Sequence, residues 1–287
     1  MNKLAKARKL VADYPITEEL KQFGQDNIGT YAEENTRLLY YNGIGTKFLV
    51  EELSCKVLAE SLHYFIGIDE QEIKKDEQIK LGSSKLKGKP HLPRHIIWPE
   101  GFYFLAQFNF AELSAYDLLE YLPKKGILYL FFDTESEVKA IYFNGDLNTL
   151  EIREYPNKNK FLDTKYYYDN FAKKPCLIKY EPNFIFFIGS SEDYDINSIL
   201  PNELVEAVAK EMGYSIAEYN PSTNLFGRPH YWQGEDEIWP DDETTLSNSR
   251  LLLYQEEFGE GHIHIWIDKK AAKEGDFSEL ELTYSGT

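Results

Sequence analysis

Cysteine is nearly absent from this 287-residue chain, and the two that occur, Cys55 and Cys176, lie far apart with no CxxC spacing. That excludes a disulfide framework and a thiolate metal site, and the expectation is two reduced, buried thiols acting as small hydrophobes. No apolar run approaches the roughly 20 residues that cross a bilayer. The opening MNKLAKARKLVADYP lacks the apolar core and cleavage site of a signal peptide. The reading is therefore a cytoplasmic protein with no membrane partner. Also missing are a P-loop, a dinucleotide glycine motif and a nucleophile elbow, so no cofactor is expected and any catalysis would rest on generic carboxylates and histidines. Basic residues are scarce in one region above all. Residues 181–287 carry six Lys and Arg against 22 Asp and Glu, whereas residues 1–82 carry 11 against 14 and residues 83–180 carry 14 against 12. Nucleic acid is disfavoured as a partner, because its phosphates would meet a repelling surface. A basic protein is the natural electrostatic complement of that acidic third, although acidity that serves only solubility is the plainer reading.

What is abundant is aromatic: 21 Tyr and 18 Phe, which favour strands and packed sheet faces over helix bundles. A pattern then occurs twice. Leu86-x-Gly88-Lys89-Pro90-His91 followed by Trp98-Pro99 matches Leu225-x-Gly227-Arg228-Pro229-His230 followed by Trp239-Pro240. After each comes an apolar run containing a glutamine, Gln107 or Gln255, and then a second run that opens on Gly and closes on Asp, Gly126 to Asp133 and Gly261 to Asp268. Fixed order with insertions between blocks is what an internal duplication leaves. The repeated residue types are those of turns and plugs. A Gly-x-Pro turn bends the chain, Trp-Pro sets a large ring where a ladder ends, and a glutamine inside an apolar run bonds backbone that would otherwise go unpaired.

The order Gly-x-Pro-x-Leu-Pro (88–93), Trp98-Pro99, Phe104-Leu-Ala-Gln107 and Leu122-Pro123 resembles the bacterial YwqG-like family, a domain of unknown function, over about residue 82 to the C-terminus. The resemblance implies a β-rich roll of two similar halves. It implies no activity and no catalytic residues.

Periodicity predicts a basic amphipathic helix over residues 2–13, docked on the body, and a helix capped by Thr17. The steps of Phe48, Leu49, Leu53, Val57, Leu58 and Leu62 predict a helix over 46–63, with His63 as its polar end. Further expectations are a strand from Phe102 to Asn109, a helix over 111–121, a hairpin of 127–132 with 138–143, and loop over 144–182. The tyrosines at 166–168 are read as a packed sheet face, 184–188 as a central strand, and 201–212 as a helix stopped by Gly213. The sum is a β-rich α+β protein: an N-terminal helical segment (1–81), then roll-like antiparallel sheets over 82–287 in two pseudo-symmetric halves, repeat A at about 82–143 and repeat B at about 221–287.

Three constellations carry chemistry. His262-x-His264 on a strand points both rings to one face, with His230, Glu256, Glu257 and Asp268 as further candidate ligands, a weak zinc pattern. Since the first copy has Ile127 and Tyr129 in those slots, packing is preferred and no metal is expected. The run Glu235, Asp236, Glu237, Ile238, Trp239, Pro240, Asp241, Asp242, Glu243 lacks EF-hand spacing. It serves better as a partner-facing surface, with Trp239 as the apolar anchor in a charged rim. The matched His91 and His230, with Gln107 and Gln255, are pocket candidates, and the preferred role of each ring is a bond to a backbone carbonyl. The leading functional reading is a non-catalytic binding protein whose acidic C-terminal face, residues 235–243, meets a basic protein partner. The alternative is a small-molecule hydrolase or metal-dependent enzyme using the His262/His264 region.

Overall fold

The computed structural model describes residues 2–27, 38–42, 46–50, 54–156, 165–186, 199–217, 221–227, 229–230 and 250–286. The elements in chain order are α1 (Lys3–Ala12), α2 (Glu18–Asn27), β1 (Leu38–Asn42), β2 (Thr46–Val50), α3 (Cys55–Ser61), β3 (Leu62–Glu72), β4 (Lys85–Leu86), β5 (His91–Pro93), β6 (Tyr103–Asn109) and α4 (Phe110–Leu113). They continue with β7 (Ile127–Phe132), β8 (Val138–Phe143), β9 (Leu150–Ile152), α5 (Lys165–Ala172), β10 (Cys176–Phe186), α6 (Asn202–Met212), β11 (Asn224–Leu225), β12 (Arg250–Phe258), β13 (Gly261–Asp268), α7 (Lys269–Glu274) and β14 (Glu281–Gly286). The protein is β-rich, with a large antiparallel sheet, two small two-stranded sheets and several helices. The chain divides into two compact units, one of residues 1–67, 182–262 and 284–287, the other of 68–181 and 263–283.

In the unit of 68–181 and 263–283, the strands β6, β7 and β8 run antiparallel in a meander. The β7–β8 hairpin pairs Ile127 with Phe143 through Phe132 with Val138, as its two apolar runs predict. Every residue of β6 and β7 is buried, so neither run alternates in polarity. Covered on both faces, such a strand has no side to spare for polar residues. One face carries Phe104, Ile127, Tyr129 and Phe131 into a cluster with Leu92, Trp98, Phe102 and Leu150. Each such side chain withdrawn from water contributes about 1.5–3 kcal/mol. The short β4 lies between β6 and the start of β10, pairing Lys85 with Gln107 and Leu86 with Cys176. β5 and β9 form their own small ladder, His91 opposite Ile152 and Pro93 opposite Leu150.

In the other unit, α1 packs on α3 and α6. It buries Leu4, Ala7 and Val11, while α6 buries Leu204, Val208 and Met212. The lysines of α1 stay useful at the rim, where Lys3 Nζ donates to the terminal carbonyl of α6 at Met212 (3.3 Å) and Lys6 pairs with Glu211. A cation at a helix C-terminus is favourably placed against the dipole. α6 ends as expected at Gly213, whose φ of +79° suits glycine. Thr17 caps α2 by accepting from the Leu20 amide at 3.2 Å.

Several expectations are corrected. The helix read over 46–63 is instead β2, a seven-residue α3 and the start of β3. Thr46, Phe48 and Val50 belong to the residue types that suit strands, and Ser54 opens α3 by accepting from the Val57 amide. His63 is therefore a buried strand residue whose Nε2 meets the Phe226 carbonyl at 2.7 Å. The helix read over 111–121 is a single turn, α4, capped by Asn109. The stretch taken as loop holds β9, α5 and most of β10, and Tyr166, Tyr167 and Tyr168 lie in α5 instead of a sheet. Among the described residues, no helix is long and apolar enough to cross a membrane.

Candidate functional site

His91 and Gln107 meet because β4 and β6 pair in register and the Gly88-Lys89-Pro90 turn folds His91 back over the strand ladder. Lys87 and Gly88 take the left-handed conformation at φ 55° and 68°. Gly88 has no alternative, since a Cβ there would lie 2.5 Å from Asp76 Oδ1 and 2.6 Å from Pro175 Cβ. The Gln107 amide then acts as a clamp. Its Oε1 accepts the His91 backbone amide at 2.8 Å and its Nε2 donates to the Ser83 carbonyl at 2.6 Å. The Gly82 amide donates to His91 Nδ1 at 3.0 Å. With Nδ1 an acceptor, the ring proton sits on Nε2, which is buried without a hydrogen-bond partner among the described residues. Burial, with the nearby Lys85 charge adding to it, lowers the His91 pKa to about 4. The ring is thus neutral at ordinary pH, and its bond is to a backbone amide instead of the expected carbonyl. The Tyr129 hydroxyl completes the turn by donating to the His91 carbonyl at 2.6 Å.

Beneath the turn lies a buried ion pair. Lys85, fully buried, bonds Asp76 and also donates to the Lys89 carbonyl at 2.8 Å, while the Lys89 amide donates to Asp76 Oδ1 at 2.8 Å. Desolvation lowers the Lys85 pKa, and the attraction of Asp76 opposes that.

The second matched stretch, considered within its own unit, repeats the spacings and the bond from the histidine amide to the glutamine oxygen, while its ring bond differs: His230 Nε2 meets a carbonyl where His91 Nδ1 accepts from an amide. Asn224 stands opposite Gln255 as Lys85 does opposite Gln107, six residues before the histidine in each case. The His230 amide donates to Gln255 Oε1 at 3.1 Å. The His230 ring contacts the Pro221 carbonyl at 3.3 Å, nine residues back, as His91 reaches nine back to Gly82. Phe226, four before His230, has φ of 62°, and Lys87 is four before His91. Asn224 does here what Lys85 and Asp76 do there, tying the turn by accepting from Gly227 and donating to Pro221.

His262 and His264 both lie in β13. His262 stacks on His230 with centroids 4.8 Å apart and planes 17° apart. Desolvation first, then the His230 charge, lowers the His262 pKa to about 4. Of the other candidate ligands, Asp268 caps α7 by accepting from the Ala271 amide, and Glu256 accepts from Tyr254. No group of three His, Cys, Asp or Glu suited to a metal occurs among the described residues. The acidic run of Glu235, Asp236, Glu237, Trp239, Asp241, Asp242 and Glu243 lies outside the described residues.

A groove that the residue pattern does not signal follows the β5–β9 ladder. It encloses about 560 Å³ between residues 94–101 and the pair Arg153 and Pro156, within the 300–1,000 Å³ of ordinary ligand clefts. Its floor is Trp98, plugged as expected: the indole packs on Tyr155 (4.7 Å) and Phe131 (5.3 Å) and donates to the Phe102 carbonyl at 2.8 Å. Arg94 follows β5 and Arg153 follows β9, at opposite ends of the antiparallel ladder, and both line the groove because the Arg153 side chain reaches back along it toward Arg94, 59 residues away in sequence. Arg153 Nη1 is held by the carbonyls of Pro93, Arg94 and Ile96 at 2.9–3.3 Å. Glu151 accepts from Arg94 Nε at 2.6 Å and raises the Arg94 pKa. Ile97 is 86% exposed at the rim. Nothing in the sequence announced that the second isoleucine of Ile96-Ile97 would face solvent.

A sequence family described as a domain of unknown function (DUF1963) matches residues 84–285. No curated protein matches the chain.

Proposed function

We propose, for a chain that belongs to the DUF1963 family, a non-catalytic binding protein whose acidic C-terminal third meets a basic protein partner. The observation that carries this reading is the charge partition, 22 acidic against six basic side chains over residues 181–287. A field of that sign draws in and orients a basic surface before contact. The matched His–Gln turns support the non-catalytic side, because the Gln107 amide and His91 Nδ1 are bonded to backbone and the remaining His91 Nε2 is buried away from solvent. Their common spacings also support an internal duplication in which a scaffold, and not a reaction centre, was copied. The likeness to YwqG-like proteins fits the same picture of two related halves.

The test is a pull-down from host lysate at low and at high salt, with the wild type and with a variant in which Glu235, Asp236, Glu237, Asp241, Asp242 and Glu243 are all changed to Lys. A basic protein held at low salt, shed at high salt and lost in the variant is the expected result. Associations unchanged by the reversal would overturn the reading. The second reading, a hydrolase or metal-dependent enzyme using the His262/His264 region, draws on the His230/His262 stack. Stoichiometric metal in protein purified without an affinity tag would favour it.

A further inference from the structure

We infer that the groove between residues 94–101 and Arg153 is a binding site for a small organic monocarboxylate with a flat apolar body. The argument begins with the unspent donors. Arg94 uses Nε on Glu151, and its Nη1 and Nη2 have no partner among the described residues. Arg153 commits Nη1 to three carbonyls and Nε weakly to Glu151 at 3.8 Å, and its Nη2 has no partner among the described residues. The three carbonyl contacts fix the Arg153 guanidinium in place, so little side-chain freedom remains to be lost on binding. A guanidinium whose Nη pair is free presents the parallel N–H donors that match a carboxylate in bidentate fashion.

The carboxylates nearby set the ligand's charge. Glu151 takes up part of the charge of both arginines and Glu100 lies on the groove wall, so the surplus positive charge is small. A compact dianion such as phosphate would find too little of it to repay its desolvation. A monocarboxylate needs only the fork.

The rest of the lining sets the body. Ile96, Ile97, Trp98, Pro99 and Pro156 are apolar, and Ile97, though 86% exposed, stands at the edge of this volume instead of in the core. Beside Gly101 there is open space, since a Cβ built there meets nothing within 4 Å. A shallow cleft of about 560 Å³ walled by apolar side chains and one fork of donors takes a bicyclic or similar flat group laid against Ile97 and Pro99. The site does not depend on the acidic C-terminal third, so it stands or falls apart from the partner reading above.

The probes are 2-naphthoate and its uncharged isostere 2-naphthamide, titrated into the full chain and followed by chemical-shift change and calorimetry. Naphthoate is expected to bind at least about tenfold more tightly than the amide, the ratio that a charged hydrogen-bonding pair supplies. Arg94→Gln, at a side chain that is 87% exposed and so harmless to folding, removes that ratio while leaving the amide's affinity unchanged. Ile97→Ser, also at an exposed position, weakens both probes alike. Equal affinity for the two probes, full naphthoate affinity in Arg94→Gln, or no binding of either up to millimolar concentration would each overturn the proposal.

Discussion

Replacing Asp76 by Asn tests whether the first turn rests on its buried ion pair. Lys85 is fully buried and Asp76 nearly so, and among the described residues this carboxylate is the only acidic group that bonds the ammonium. Asn keeps an oxygen for the Lys89 amide and nearly the same volume, so the change removes charge and little else. A cation left alone in a buried site costs about 3–5 kcal/mol. At about 2–4 °C per kcal/mol for a chain of this size, the midpoint should fall by roughly 6–20 °C. The loss has a pH signature. The native Lys85 pKa is already lowered by burial, and without Asp76 it drops further, while the unfolded lysine titrates near 10.4. Between those values the unfolded chain binds the extra proton, so the variant's stability rises with pH across that window. Adding Lys85→Met removes the orphan charge and should recover most of the loss, because apolar replacements of buried pairs are often neutral.

The assay is urea unfolding of the wild type, Asp76→Asn and the double variant at pH 7 and pH 9.5. A single variant that loses less than about 1 kcal/mol, well below the expected cost, would refute the reasoning. So would a double variant as unstable as the single one. Either result would mean that water or neighbouring groups solvate Lys85 well enough to make Asp76 dispensable.

Gln107→Leu should cost about 2–6 kcal/mol in the same assay, since it orphans the His91 amide and the Ser83 carbonyl, each worth about 1–3 kcal/mol when left unbonded. Gln255→Leu breaks the matching bond to His230 and should destabilise in the same sense by less. Because His91 has a native pKa of about 4 against 6.5 unfolded, stability should be full above pH 6.5 and decline as pH falls toward 4, by up to about 3 kcal/mol from this residue. Thermal melts from pH 4 to 7 on the wild type and His91→Gln would check it, the variant showing the shallower slope. His262, shifted the same way, adds to the decline in both. Gly88→Ala should fold poorly or lose more than about 2 kcal/mol, because its Cβ would strike Asp76 and Pro175 at a positive φ.

Local chemistry alone determined much of the molecule: helices α1, α2 and α6 with their caps, the β7–β8 hairpin, the buried thiols and the plug role of Trp98. In each case the deciding interactions lie within a few residues, or in a run of apolar residues too continuous to sit in water. Recognition of the matched Gly-x-Pro-His and glutamine blocks was equally a matter of sequence, because turn residues are chosen for backbone geometry that any packing must respect. The helix read over 46–63 failed because apolar residues at 48, 49, 53, 57, 58 and 62 suit either a helix face or successive buried segments, and only long-range pairing separates the two. Tertiary structure alone decided that Gln107 clamps His91, that Lys85 finds Asp76, and that the Arg153 side chain reaches the carbonyls around Arg94. Those meetings join residues distant in the chain through strand register, and register is set by which surfaces the whole core buries.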